Sequence, residues 1–140
     1  MMADPVDGIV RPPMLSRAAA ALYLTTCMSL LCFVSWALLT PDPFRIVRDS
    51  SLAWAEQVSD LLVHTLVFAA LSTAWLGLFQ FLRRELPLSV LLVMLGYCVC
   101  MESLQIFVPG RHCCPQDAMA NIVGFLLGVA IVRQWRVRTS

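Results

Sequence analysis

Four long apolar runs alternate with short polar segments along this chain, and their lengths are those of membrane-crossing helices. The first, Ala18 to Leu39, is 22 residues without a charge, enough at about 1.5 Å per residue to cross a hydrocarbon core of about 30 Å. The others run from Asp60 to Leu82, from Leu86 to Val108 and from Asp117 to Val132. The minimal connection Arg83-Arg84-Glu85 forces spans two and three into an antiparallel helical hairpin. The pattern predicts an all-α membrane protein, an up-down bundle of four transmembrane helices. Its expected limits are an N-terminal tail over residues 1–17, a membrane domain over 18–135 and a short tail over 136–140.

Punctuation supports these limits. Asp4, Pro5, Asp7, Gly8, Pro12 and Pro13 make the first residues unable to bury a core. The first span is too long for a signal-peptide apolar region, and Trp36 to Thr40 offers no small-x-small cleavage site, so retention as an anchor is expected. Pro41-Asp42-Pro43 opens a loop to Ser59, in which Ser50 or Ser51 is placed to cap a short surface helix and Trp54 suits the membrane interface. Pro87 fits a first helical turn, and Pro109-Gly110 ends span three. Ala120, Gly124 and Gly128 recur every fourth residue in span four, the small-residue spacing that lets membrane helices approach closely.

Composition strengthens the membrane reading. The mean hydropathy is +0.78, and 59% of residues are hydrophobic, outside the usual range of soluble domains. Net charge is +1 and every cation apart from histidine is Arg, so no polybasic tract points to nucleic acid. Of six cysteines, Cys27, Cys32, Cys98 and Cys100 lie in apolar runs and read as small hydrophobes, while Cys113 and Cys114 sit in a polar loop. Cys98-x-Cys100 has the wrong spacing for a redox pair.

The polar residues inside the apolar runs are the candidate chemistry. An ionised carboxylate at Glu102, between Val99-Cys100-Met101 and Ile106-Phe107-Val108, costs roughly 2.5 kcal/mol or more in hydrocarbon. Gln105 shares its helical face. Asp60 and His64 are four residues apart and so share a face at the start of span two, with Phe68 continuing it. Arg111, Asp117 and Asn121 follow span three. An up-down order brings all of these to one level. The termini and the hairpin hold Arg11, Arg17, Arg83, Arg84, Arg133, Arg136 and Arg138, against Arg45, Arg48 and Arg111 on the other side, which puts both termini in the cytoplasm and the polar level outside.

Asp60 and His64 with Phe68, then Glu102-x-x-Gln105, Pro109-Gly110-Arg111, Asp117-x-x-x-Asn121 and Gly124 with Gly128, resemble the VanZ-like family of small bacterial integral membrane proteins, over roughly residues 60–132. The resemblance implies a cell-envelope setting, since the family takes its name from a member associated with low-level teicoplanin resistance. This chain differs in having Leu61 where the family often has Lys, and His112-Cys113-Cys114-Pro115 where it often has small or hydroxyl residues.

Three chemistries suit the set. Arg111, with Gln105, Asp117 and Asn121, is placed to hold an anionic or lipid-linked envelope precursor, with Glu102, His64 and Asp60 as catalytic acid–base candidates. A divalent-metal reading of His64, Glu102, Asp117 and Asp60, with His112, Cys113 and Cys114 as soft ligands, has no recognised motif spacing behind it, so no metal is assigned. A proton relay or small transport path needs an oligomer, because four short helices leave little room for a conduit. Against these stands a purely structural cluster that locks the helices of an assembly or accessory protein. No cofactor or oligomeric state is indicated.

Overall fold

A computed structural model of the chain describes residues 16–46, 48, 51, 58–83, 86–111 and 113–139. Among the described residues four α-helices carry the fold: α1 (Arg17–Leu38), α2 (Asp60–Arg83), α3 (Leu88–Leu104) and α4 (Pro115–Thr139), with 3-10 turns at Pro43–Ile46 and Gln105–Phe107. All four are long and apolar enough to cross a membrane. The all-α, four-span reading holds. The expected surface helix near Ser50 and Ser51, Trp54, and the turn residues Arg84 and Glu85 fall largely outside the described residues.

Local signals set the helix ends. The Ser16 hydroxyl accepts the Ala19 N–H at 3.2 Å and caps α1. That helix stops at Leu38, three residues before Pro41. Pro87, without an N–H to lose, precedes α3, and its carbonyl accepts the Val90 N–H at 3.0 Å. After the Gln105–Phe107 turn the chain reverses at Gly110, whose φ of 79° is a backbone state that side chains disfavour. Pro115 then opens α4, with the Cys114 carbonyl accepting from Asp117 and Ala118 at 3.0 and 3.1 Å. The fourth helix runs past Val132 through Thr139, further than the apolar run alone predicts. No Pro or Gly interrupts residues 133–139, and Arg136 and Arg138 in the last turn complement the helix dipole.

The outer surface, unlike that of a soluble bundle, is largely apolar, and a few polar side chains share the apolar core. Leu22, Phe81, Val93 and Phe107 point outward, whereas His64, Ser72, Glu102, Gln105 and Asn121 are buried, which is what a hydrocarbon surround favours. The tightest contact is between α2 and α4. A Cβ added at Gly124 would strike the Thr65 carbonyl and lie 2.9 Å from Phe68 Cβ, and one at Gly128 would lie 2.6 Å from Ser72 Cβ. Here the glycine stripe lets the α4 backbone lie directly on α2. Because residue 124 meets 65–69 and residue 128 meets 72–73, the two helices run parallel, and their N-terminal ends share one level.

The third helix joins this pair through Met94, Cys98 and Met101, in a core with Phe68, Leu71 and Phe125. The first helix docks on the outside through two hydroxyls: Tyr23 donates to the Ala74 carbonyl at 3.0 Å, and Ser35 meets the Tyr97 hydroxyl at 2.9 Å. Beyond α1, an exposed ion pair joins Arg48 to Asp42 at 3.0 Å. A cavity of about 300 Å³ lined by Leu31, Trp75, Phe79, Val93, Met94 and Tyr97 opens among α1, α2 and α3, and is almost wholly apolar.

Candidate functional site

The start of α2, the end of α3 and the start of α4 meet at one end of the bundle, where their polar side chains interlock. His64, near the start of α2, is 5% exposed. Its Nδ1–H donates to Asn121 Oδ1 of α4 at 2.8 Å. The Asn121 amide is oriented by its other end, since Nδ2 donates to the Cys98 carbonyl of α3 at 3.4 Å. Cys98 returns a thiol contact to the Asn121 carbonyl at 3.8 Å. One asparagine therefore ties three helices together and fixes the histidine tautomer, leaving Nε2 with its lone pair free.

Glu102, in the last turn of α3, is 1% exposed. Its Oε1 accepts the Cys114 backbone N–H at 2.8 Å, so the carboxylate sits at the N-terminal, electropositive end of α4. Its Oε2 is buried without a hydrogen-bond partner, as is Gln105 Nε2 one turn later. The 3-10 turn at Gln105 buries the amide while Ile106 and Phe107 face outward. Asp117, in the first turn of α4, is partly buried. One ligand atom each from His64, Glu102 and Asp117 lies within 4.8 Å of the others. This closeness is the central geometric fact of the site.

The other expected residues stand around that trio. Arg111 is partly buried, and its Nε donates to the Thr40 carbonyl at 3.4 Å. No carboxylate among the described residues lies within ion-pairing distance of it. Asp60 opens α2 one turn before His64, is exposed, and does not join the trio. His112 is outside the described residues, and no cysteine thiol among the described residues belongs to the group. All six cysteines are free.

A family model, VanZ/LLP1, matches residues 20–136. The chain belongs to the VanZ/LLP1 family. The match takes in all four helices, α1 included, and so extends beyond the motif-bearing residues 60–132. No curated protein and no solved structure matches the chain. For this VanZ/LLP1 member, sequence reading missed the backbone partners of the site, namely the Cys114 N–H and the carbonyls of Cys98 and Thr40. Main-chain groups leave no residue-type signal. It also passed over Ser72, whose buried hydroxyl has no partner on the α2–α4 contact; small residues in membrane helices ordinarily read as packing.

Proposed function

We propose that this end of the bundle binds, or acts on, an anionic or lipid-linked cell-envelope ligand from the outer face of a bacterial inner membrane, with both termini cytoplasmic. The observation that carries the reading is the convergence of His64, Glu102 and Asp117 from three helices within 4.8 Å, next to a chain segment that holds an arginine with no ion-pair partner among the described residues. The guanidinium is a planar fork suited to phosphate and carboxylate groups. Among the described residues Arg111 is tethered through Nε to the Thr40 carbonyl, and its terminal nitrogens are proposed to take a ligand. Glu102 and the free Nε2 of His64 are the proposed acid–base groups, and Gln105, with its unpartnered amide nitrogen, is a proposed further donor. Asp60, exposed at the rim, would meet a headgroup arriving from water.

A non-enzymatic assembly role has one observation in its favour: the His64–Asn121–Cys98 network is closed on itself, as a purely structural lock would be. The unpartnered Glu102 Oε2 weighs against that role, because a lock leaves no buried carboxylate oxygen bare. The test is the lipid that travels with the protein. Purified from a membrane containing phosphatidylglycerol and examined by native mass spectrometry, the wild-type chain is expected to retain anionic lipid. Arg111→Gln is expected to reduce that retention by roughly ten- to a hundredfold, the loss of one charge-assisted contact of about 1.5–3 kcal/mol. Equal retention by both proteins would remove the headgroup reading.

A further inference from the structure

Two carboxylates and one imidazole meet in this bundle with no cation among the described residues paired to them. Glu102 is 1% exposed, Asp117 is partly buried, and no Arg side chain among the described residues pairs with either. Two negative groups this close, at the end of an apolar bundle, repel one another and are poorly solvated. We propose that His64, Glu102 and Asp117 hold a divalent metal ion of the manganese or zinc class, a reading that rests on the same site as the headgroup proposal and gives His64 and Glu102 ligation in place of acid–base work. It departs from the expectation, drawn from motif spacing, that no metal is assigned.

Three independent features prepare these groups as ligands. The first is the histidine tautomer. With Nδ1–H donated to Asn121 Oδ1 at 2.8 Å and Asn121 held in turn by the Cys98 carbonyl, Nε2 presents a lone pair in a fixed direction. Metal-bound histidines are oriented in this way, by a hydrogen bond from the other ring nitrogen. The second is Glu102, whose Oε1 is occupied by the Cys114 N–H at 2.8 Å while Oε2, fully buried, has no partner. One carboxylate oxygen is anchored and the other is left as a ligand. The third is spacing. One ligand atom from each residue lies within 4.8 Å of the others, whereas oxygens and nitrogens about 2.0–2.2 Å from a tetrahedral ion stand about 3.4 Å apart, so binding draws such atoms together by up to about 1.4 Å.

The donor set selects the ion. One imidazole with two carboxylates suits Mn²⁺ or Zn²⁺ better than the all-oxygen shells of Ca²⁺ and Mg²⁺, and the absence of thiols from the set disfavours soft ions. A dication neutralises the two carboxylates, which answers the charge imbalance of the bundle. Three protein ligands also leave coordination positions open, the arrangement of catalytic rather than structural metal sites. A phosphate or carboxylate oxygen of the ligand would complete the shell. Arg111, three residues before the Cys114 that anchors Glu102, would take another oxygen of the same group.

The decisive measurement is equilibrium dialysis of the purified full chain in detergent micelles, stripped with EDTA and then exposed to Mn²⁺ or, separately, Zn²⁺, with bound metal counted per chain. About one ion of at least one of the two metals is expected on the wild type. Glu102→Gln and Asp117→Asn should each weaken binding at least tenfold, while Asp42→Asn, which removes an acid of the loop after α1, should not. If Glu102→Gln fails to fold, Asp117→Asn at the partly buried position decides. Less than a tenth of an ion on folded wild-type protein, or wild-type affinity in the folded variants, overturns the proposal. The headgroup reading is scored separately. Anionic lipid retained in EDTA by a chain that binds no metal removes the metal alone, and metal bound without selective lipid retention supports the metal and removes the headgroup.

Discussion

Gly124→Ala tests the contact on which the site depends. The added methyl would lie 2.9 Å from Phe68 Cβ and 3.0 Å from Ala69 N, and would run into the Thr65 carbonyl. Carbon atoms prefer about 3.5–4.0 Å, so α4 must withdraw from α2 by at least about 0.6 Å. Two of the three obstructing groups are backbone, which cannot rotate aside. Overpacking of this kind costs about 1–3 kcal/mol, or roughly a fivefold to hundredfold loss in the folding equilibrium. The withdrawal also acts one turn from Asn121, so the 2.8 Å bond to His64 lengthens with it. Gly96→Ala is the matched control: nothing lies within 4 Å of a Cβ there, and Ala favours helix over Gly by about 0.8–1 kcal/mol. Thermal unfolding in one detergent, followed by loss of helical circular dichroism, should therefore lower the midpoint for Gly124→Ala and hold or raise it for Gly96→Ala. Equal midpoints for the two variants would refute the close-packed α2–α4 contact.

Removing the interlocking amide with Asn121→Ala deletes the bonds to His64 and to the Cys98 carbonyl. At about 0.6 kcal/mol for an average interhelical bond in a membrane and about 1.7 at most, the pair accounts for roughly 1–3 kcal/mol, and an unfolding midpoint equal to wild type would show the network to be energetically idle. For topology, reporter fusions after Ser140 and within residues 50–56 should report a cytoplasmic C terminus and an external loop; a C terminus on the outer side would reverse the proposed orientation and put the polar cluster at the inner leaflet.

The four spans and the level of the polar residues were legible because hydrocarbon imposes simple demands on a chain. Length, apolarity and Pro or Gly punctuation suffice to mark helices, and an up-down order then assigns each helix end to a side. The apolar run from Asp60 to Leu82 coincides with the part of α2 that is long and apolar enough to cross a membrane. Side-chain destinations were less accessible. Asp60 and His64 share a face by spacing, yet His64 is buried and Asp60 exposed, because the first residue of α2 lies at the end of the bundle where no neighbouring helix covers it. The C-terminal extension of α4 was missed because hydropathy marks where a helix leaves the apolar phase, and a basic stretch remains helical beyond it.

The run from Glu102 to Gly128 contains most of what the sequence determines by itself: Glu102, Gln105, Asp117 and Asn121 in a largely apolar stretch, a Pro-Gly reversal, and glycines spaced to admit another helix. Those features require buried polar company, since each isolated group is costly in hydrocarbon. They do not identify the company. Only the tertiary structure decided that Asn121 holds His64 rather than Arg111, that a backbone N–H rather than an arginine meets Glu102, and that Asp117 closes the trio while Asp60 stays outside. The physical reason is that helix spacing sets a residue's direction to within a face, whereas a contact a few ångströms long depends on how closely two helices approach, and at Gly124 that approach is set by the absence of a single methyl group.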